Sequence, residues 1–480
     1  MCSDQLFEFV HPLSQRYASR EMQSLFSYEN KSIIWRKLWY HLAKAQKTLG
    51  FNITDEQIAE LYENINNIDY QDIKEKEKEL RHDVMAHLKS YCDKCPVAAP
   101  IIHVGATSCF LTDNADLIIM KKALQLVQDK MVALLHRLSD LALEWRDLTC
   151  VGYTHFQKAQ PVTIGKRFCL WLQDIFFDFE ALTLLILNLP FRGAKGTTGS
   201  QASFLAMFEN NYDKVEALDN LIAKEFGFSK VFKVCGQTYP RKLDIEVLNR
   251  LASFGSSVHK FCNDLRLLSH TKEISEPFQS GQVGSSAMPY KENPILSERC
   301  CGLARYLINL SNNAYQNNSV QWLERSLDDS ANRRLLIPEA FLLCDSILNI
   351  LLSFIPNLVI NISVIQNNLK EHLSFFITEL IIIDLVNVGK DRQVSHEKIK
   401  DHSLKVINQG KDSNLLLEAL LTDEYFSPVH EKIKSGSYND ISPLVGTCAE
   451  QVIYFVNDIV CPVLLTYKFN NSITAEFQVA

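Results

Sequence analysis

The sequence contains few of the residues that make turns. Gly (17) and Pro (14) account for 31 of the 480 residues, about half of the usual ~12%. A β-sandwich or β-propeller joins many short strands by tight turns, so this scarcity excludes both. Hydrophobic residues make up 47% of the chain and charged residues 22%, ordinary globular values that exclude a disordered chain. The composition therefore predicts a mostly helical globular protein.

The sequence also lacks a basic surplus and a long apolar run. Lys and Arg number 49 against 56 Asp and Glu, a net charge of −7, which excludes a general nucleic-acid binder but leaves room for a local basic cluster that binds a small anion. No stretch reaches the ~18 uninterrupted apolar residues of a membrane span. The nearest, 347–365, is interrupted by Asn349, Pro356 and Asn361. It predicts a buried core helix followed by a break, and no contact with a membrane.

The 13 cysteines show no even spacing, and the start of the chain lacks a basic segment followed by an apolar one. No secretory signal is therefore visible, and we expect reduced thiols in a cytoplasmic protein. Cys92 and Cys95 form a CxxC pair without a second pair nearby. A lone pair does not predict a zinc or redox site.

Apolar residues recur every three or four positions in four long stretches. These are 131–145, 168–187, 248–268 and 335–354. Such stripes predict core packing, and their length indicates an elongated helical bundle that is shared between subunits. After about residue 360 the pattern shortens. The predicted fold is all-α with three helical domains, over 1–107, 108–360 and 361–480.

Three segments between the long helices have the composition of loops. They are 151–157, 192–201 and 276–294. The last contains three Pro, two Gly and three Ser in 19 residues. A long Gly/Ser loop flanked by prolines is a candidate lid, and loops on a rigid scaffold often carry function.

Two histidine segments are candidates for proton transfer. His155 lies in a loop containing Gly and Thr, and an imidazole with an ordinary pKa near 6.5 exchanges protons at neutral pH. A hydrogen-bonded structural histidine is the competing interpretation. The run Arg81-His82-Asp83 could bind an anion and orient an imidazole, or form a solvated helix face. Its spacing to His87 is five residues, which does not favour a helical zinc pair.

The 276–294 loop carries Ser285, Lys291 and Asn293. Gly-Ser-Ser is not the G-x-S-x-G elbow of α/β hydrolases, so a Ser-His-Asp hydrolase is not expected. Ammonium and carboxamide groups suit a carboxylate that gains negative charge. The alternative is a solvated loop whose polar residues only make turns.

A second cation cluster surrounds a predicted helix start. Arg325 and Arg334 are nine residues apart with Ser330 between them. At a helix start, guanidinium, hydroxyl and backbone N–H groups together suit a phosphate. Helix capping with surface ion pairs is the competing interpretation.

Taken together, these segments resemble one superfamily. The run 284–294, GSSAMPYKENP, looks like the signature loop GSSxMPxKxNP of the fumarase/aspartase/argininosuccinate lyase superfamily. Further segments are similar to the animal-type adenylosuccinate lyase family. They are 14–19, 81–87, 105–109, 154–157, 195–199 and 326–334. One departure is Lys158, where the family usually has Pro.

The resemblance implies a β-elimination that releases fumarate. The implied substrates are adenylosuccinate, which gives AMP, and succinylaminoimidazole carboxamide ribotide (SAICAR), which gives the free carboxamide (AICAR). The reaction needs a base for a C–H beside a carboxylate, cations around the resulting charge and an acid for the leaving nitrogen. It requires no metal or organic cofactor. The implied assembly is a homotetramer around a central bundle, with sites shared between three subunits.

The resemblance also implies roles for individual residues. His155 corresponds to the general acid, Ser285 to the base, and Lys291 to a cation near the developing charge that activates Ser285. The implied carboxylate ligands are Lys291, Asn293, Thr107, Ser108 and Gln237. The implied phosphate ligands are Arg16, Tyr17, Arg325, Ser330 and Arg334. His82 and Asp83 would line the pocket and orient His155, and Arg81 and Arg299 would also face it.

Two alternatives belong to other classes. One is a different fumarate-releasing lyase of the superfamily, such as an argininosuccinate lyase, whose substrate has no phosphate for the Arg/Ser cluster to bind. The other is a non-catalytic structural relative. Retention of both His155 and Ser285 is evidence against the second.

Overall fold

The computed structural model describes residues 9–278, 281–408 and 415–467. Five helices form its N-terminal part: α1 (Arg20–Leu25), α2 (Tyr28–Thr48), α3 (Asp55–Glu63), α4 (Tyr70–Leu80) and α5 (Asp83–Lys94). Each begins where a side chain accepts a hydrogen bond from a backbone N–H of the first turn. The caps are Ser19, Ser27, Thr54, Asp69 and His82. The Thr54 cap is a full capping box with Gln57.

Seven helices follow, five of them long. They are α6 (Ser108–Glu144), α7 (Ile164–Asn188), α8 (Ala202–Met207), α9 (Tyr212–Glu225), α10 (Lys242–His270), α11 (Ile295–Ser319) and α12 (Asp329–Phe354). The 37 residues of α6 extend about 55 Å. The long helices pack side by side, and their apolar stripes form one continuous core. The predicted core rows on these helices and the all-α class are therefore confirmed.

The strands are short and lie in two small antiparallel sheets. The first is a hairpin of β1 (Thr149–Thr154) and β2 (Gln157–Thr163), and the second pairs β3 (Ile274–Ser275) with β4 (Val359–Ile360). The hairpin occupies the segment that the sequence predicts as a loop around His155. It joins α6 to α7, so His155 lies at the tip of a defined element.

The C-terminal part consists of short helices. They are α13 (Ile362–Lys370), α14 (Leu373–Phe376), α15 (Thr378–Asn387), α16 (Arg392–Asn408), α17 (Leu415–Thr422), α18 (His430–Lys434), α19 (Ser442–Val445), α20 (Cys448–Tyr454) and α21 (Cys461–Leu464). Side chains between Ile377 and Tyr438 form a second apolar cluster, whereas Val452 and Leu464 pack into the main core. The division into three domains remains a prediction.

Within the described ranges, two stretches are long and apolar enough to cross a membrane by length and composition alone. The stretch Asp329–Asn357 is 72% buried within its most apolar window, and Ser437–Leu464 is 22% buried. The first contains α12, which is the core helix predicted from the sequence. The second contains several short helices and a π-helical turn, so it is weak evidence for a span.

Candidate active site

A cavity of about 780 Å³ opens where α2, the α4–α5 corner, the start of α6 and the start of α12 meet. It brings together nine of the sixteen side chains that the sequence singles out. They are Arg81, His82, Asp83, Thr107, Ser108, Gln237, Arg325, Ser330 and Arg334. These residues come from four separate segments of the sequence, so it is the tertiary fold that brings them together.

The α4–α5 corner gives His82 a defined orientation. Arg81 ends α4 in the left-handed region at φ 50°, and His82 Nδ1 accepts a hydrogen bond of 3.4 Å from Met85 N–H at the start of α5. Nε2 of His82 then lies 3.5 Å from Ser108 Oγ. Nδ1 also lies 3.6 Å from Asp83 Oδ1, so contacts on the Nδ1 side hold the ring with Nε2 directed at Ser108 and the cavity.

The start of α12 supplies cations to the other side of the cavity. Arg325 donates to Asp329 at 2.8 Å, and Arg334 donates to Asp83 at 3.3 Å. The side chain of Arg334 is 66% exposed, and exposed ion pairs contribute little free energy. Arg334 can therefore release Asp83 and bind a ligand instead at little cost in free energy. Guanidinium groups beside a helix N-terminus form a site suited to a phosphate.

A buried ionic network holds together the helix ends that form this part of the cavity. Arg241 contacts Asp113 at 3.0 Å and Asp329 at 2.5 Å, and Arg333 contacts Asp244 at 2.8 Å. Burial alone would raise the pKa of Asp113, but the charges of nearby arginines outweigh it and lower the pKa. The paired charges stay ionised and fix the start of α12 against α6 and α10.

Several cavity residues were missed by reasoning from the sequence. Arg241 and Asp113 line the cavity, but an isolated Arg or Asp in a helical segment gives no signal of a site. Lys31 on α2 also lines it, with Nζ 4.7 Å from the centroid of the Trp35 ring. Lys31 looks like an ordinary surface lysine of an amphipathic helix in the sequence, so only the fold reveals its place.

His155 lies outside this cavity. His155 and Phe156 form the two-residue turn of the hairpin, both in the left-handed region at φ 53° and 58°, and both are exposed. Tyr153, two residues before His155, donates to the buried Glu273 at 2.9 Å and ties the hairpin, close to its tip, to the residue that precedes β3. The tip therefore presents an imidazole away from its own chain's large cavity.

The 284–294 loop is also separate, and Gln279 and Ser280 of the predicted lid lie outside the described residues. Ser285 Oγ accepts hydrogen bonds from the backbone N–H groups of Ala287 at 3.3 Å and Met288 at 3.1 Å. Asn293 donates to the Gly284 carbonyl at 2.8 Å, which closes the loop at its base. A Cβ on residue 284 would lie 2.0 Å from the Lys291 carbonyl oxygen, so only glycine fits there.

Of the sixteen predicted residues, seven do not line the large cavity. Lys291 and Asn293 line a second cavity of about 420 Å³ beside β3. The other five are Arg16, Tyr17, His155, Ser285 and Arg299. Within one chain, the predicted acid and base are thus apart from the predicted phosphate ligands on α12.

No group of three or more His, Cys, Asp or Glu side chains within 9–278, 281–408 and 415–467 is arranged to hold a metal ion. The cysteines of these ranges, including Cys92 and Cys95, are free thiols. The side chains that line the large cavity offer imidazole, guanidinium, ammonium, hydroxyl, carboxylate and amide groups.

Comparison with known proteins identifies close relatives. A family model described as "Lyase" matches residues 12–308. An adenylosuccinate lyase of Schistosoma mansoni is 46% identical, covering 98% of this chain and all of the relative, and one of Schizosaccharomyces pombe is 47% identical, covering 95% and 96%. A crystal structure of a fumarate lyase from Mesorhizobium sp. BNC1 superimposes with a TM-score of 0.78 at 19% identity, covering 92% of this chain and 98% of the other. This last likeness shows the fold alone.

Proposed function

Since this chain belongs to the adenylosuccinate lyase family, we propose that its cavity releases fumarate from adenylosuccinate to give AMP, and from SAICAR to give AICAR. The observation that carries the proposal is the meeting of nine predicted side chains in one cavity, with Arg325, Ser330 and Arg334 at the start of α12. Guanidinium and hydroxyl groups at a helix start suit the phosphate that both substrates carry.

The reaction is a β-elimination whose protons balance. A base removes a proton from the carbon beside one carboxylate of the succinyl group. The electron pair forms the C=C bond of fumarate as the C–N bond breaks, and an acid protonates the leaving nitrogen. Negative charge grows on the carboxylate during the first step, so nearby cations and N–H donors lower its free energy.

Ser285 is the proposed base, although a serine hydroxyl is a weak base unless it is activated. Its Oγ already accepts two backbone N–H groups, from Ala287 and Met288. Hydrogen bonds to the charged form of an acid favour that form, so these donors stabilise an alkoxide at Ser285. Lys291 adds a positive charge on the same loop, and with Asn293 it binds a succinyl carboxylate.

His155 is the proposed general acid. Its exposed position at a hairpin tip suits a group that reaches into a site formed with other chains. His82, whose Nε2 faces the cavity beside Ser108, orients His155 there with Asp83. Thr107, Ser108 and Gln237 bind the succinyl carboxylates, whereas Arg81 and Arg299 face the substrate.

The proposed assembly is a cytoplasmic homotetramer in which three subunits contribute to each site. An exposed apolar stripe on α7 supports it, because Leu170, Phe177 and Leu184 are 54%, 59% and 63% exposed at a spacing of seven residues. Such a stripe on a long helix is typical of a helix–helix contact with another copy. The same contact would bring His155 and Ser285 of different chains to one cavity.

Fumarate formation tests the function. We expect purified protein to convert adenylosuccinate to AMP and fumarate without added metal, at a rate that a chelator leaves unchanged. Ser285→Ala should lower kcat by about 10²–10⁴-fold, as loss of a general base does. The matched control is Ser286→Ala on the same loop, which should retain far more activity.

Two outcomes would reject parts of this proposal. Absence of fumarate from the well-folded protein would reject the function as a whole. Equal activity of Ser285→Ala and the unchanged protein would instead remove Ser285 from the role of base and leave the function standing.

A further inference from the structure

The segment that carries Arg16 and Tyr17 is a single π-helical turn, Leu13–Tyr17, packed against α12. Leu13 of this turn is buried in the main core, and Gln23 Nε2 donates to the Ser14 and Ala18 carbonyls at 2.9 Å each. Arg16 is exposed and Tyr17 half-buried, and the backbone on the Tyr17 side of the turn is tied to a buried polar cluster. We propose that Lys130, Asp345 and Asn349 are positioning residues that fix this turn, so that Arg16 and Tyr17 meet the nucleotide phosphate.

The contacts of the cluster converge on the backbone of the turn. Asn349 Nδ2 donates to the Tyr17 carbonyl at 3.0 Å, and Asp345 accepts from Ser19 N–H at 2.6 Å. Lys130 on α6 donates to Asp345 and, at 2.8 Å, to Asn349 Oδ1. Asn349 Nδ2 also lies 3.2 Å from Asp345. Every polar atom named here thus forms a hydrogen bond or an ion pair. Asn349 Nδ2 and Asp345 bond to the main chain at Tyr17 and Ser19, close to Arg16.

Because these polar side chains are buried, they are an inefficient source of folding stability. Lys130 is 4% exposed, Asn349 is 3% exposed and Asp345 is fully buried. Taking an ion pair out of water carries a large desolvation cost, and well-packed apolar residues of similar size are often as stabilising. What apolar side chains do not provide is an acceptor for Ser19 N–H and a donor for the Tyr17 carbonyl. Together with Gln23 and the buried Leu13, the cluster therefore specifies where the Tyr17 end of the turn lies.

A fixed turn matters for binding because a ligand does not have to order it. Ordering a mobile backbone on binding costs conformational entropy for each residue that is ordered. A phosphate ligand on a loose turn would bind its substrate more weakly, while the chemical step on the succinyl end would change little. This inference rests on the proposed function, in which Arg16 and Tyr17 bind the phosphate.

The test replaces Asn349, whose side chain donates a hydrogen bond to the Tyr17 carbonyl. In Asn349→Leu we expect KM for adenylosuccinate to rise about tenfold and kcat to change less than about threefold, since uniform binding is lost. The inhibition constant of AMP should rise in parallel, while that of fumarate, which has no phosphate, stays unchanged. The matched control is Ser346→Ala. Ser346 is a buried polar residue on the same helix, and its Oγ donates to the Leu342 carbonyl at 2.6 Å within α12.

Arg16→Ala separates failure of this inference from failure of the proposed function. If Arg16→Ala leaves the AMP inhibition constant unchanged, the phosphate role of the turn is wrong. If Arg16→Ala weakens AMP and Asn349→Leu does not, Arg16 binds phosphate but Asn349 does not position it. Should Asn349→Leu fail to fold, Asn349→Ser and Lys130→Met give the same comparison, and weakening of AMP and fumarate alike would also overturn the inference.

Discussion

Two histidines show how burial sets the properties of single residues. His87 is 2% exposed, lies 2.8 Å from the Tyr28 hydroxyl, and packs against the Trp35 ring. Burial, aided by the charge of Lys31, lowers its pKa to about 4. His103 accepts a hydrogen bond from Trp39 Nε1 at 3.0 Å, and burial lowers its pKa to about 4 as well. Both imidazoles are therefore neutral at pH 7, with His87 buried in the core and His103 half-buried.

These pKa values predict how stability depends on pH. A histidine with a pKa near 6.5 when unfolded and about 4 when folded binds protons only in the unfolded chain between those values. The free energy of unfolding should therefore be highest above pH 6.5 and fall as the pH drops towards 4, on the order of 1–3 kcal/mol for His87. Urea unfolding at pH 7 and pH 4.5 measures the fall.

A variant isolates the part that His87 contributes. His87→Gln should be less stable at pH 7 and lose less stability between pH 7 and pH 4.5. The exposed His396 provides the control, since His396→Gln should leave the loss unchanged. The same loss in His87→Gln as in the unchanged protein would contradict the assignment.

Reasoning from the sequence succeeds for residues that belong to a recognisable motif and fails for those that only the fold brings near. Arg81, His82 and Ser330 were singled out because their neighbours form distinctive runs. Lys130 and Asn349 lie inside long helices that look like uniform core, and Asn349 looks only like an interruption of an apolar run. Their pairing depends on the register of α6 against α12, which no local pattern reveals.

The β1–β2 hairpin is the element that the sequence does not predict. Two-residue hairpin turns favour Asn-Gly, because both central positions have positive φ. Here His155 and Phe156 occupy those positions without a glycine, so the usual signal is absent. Backbone strain of about 1–3 kcal/mol at such residues persists only where surrounding contacts hold it, which fits an element that presents a functional side chain.

Lys158 supplies one of those contacts. Its Nζ donates to His372 Nδ1 at 2.9 Å and lies 3.7 Å from Glu371, and Gln160 donates to Glu379. These bonds join β2 to the short helices α13 to α15. They give a physical role to the lysine that stands where the family usually has proline.

We predict that loss of these contacts loosens the tip that carries His155. Lys158→Met should lower kcat by about 3–10-fold, as misplacing a catalytic group does, and should change KM less than about twofold. Lys158→Arg should retain most activity because it still reaches Glu371. Steady-state kinetics on adenylosuccinate measures both, and an unchanged kcat in Lys158→Met would show that the hairpin keeps its position unaided.

On the scale of the whole molecule, the long helices are the part that the sequence predicts best. Their apolar rows at helical spacing correspond to α6, α7, α10 and α12, because burial on one face imposes a strict period. The site is predicted less completely, since the large cavity of one chain contains nine of the sixteen predicted residues. In the proposed assembly, the pairing of chains would depend on surfaces such as the α7 stripe, and a single sequence does not reveal that pairing.

If sites are shared between subunits, two inactive variants should complement each other when their subunits are mixed. His155→Ala and Ser285→Ala should each lose turnover and remain tetrameric. After the subunits are mixed and exchanged, about a quarter of the sites should combine intact residues at both positions if these come from different chains. Fumarate release by the mixture measures the recovery.

Controls make the mixing experiment decisive. Exchange is verified by mass spectrometry of differently labelled subunits, and each variant treated alone should stay inactive. If exchange is complete and activity does not return, His155 and Ser285 act within the same chain and the shared site is wrong.

The length of α6 has a consequence for mixed populations of the protein. Ser108 at the large cavity and Lys130 beneath the Arg16 turn are 22 positions apart on this helix, or roughly 33 Å. One helix thus connects the large cavity with the polar cluster that holds the Arg16 turn. If, as proposed, each site combines residues of several copies, a single defective copy should inactivate more than one site, and a defective allele should silence a larger share of sites than its share of chains.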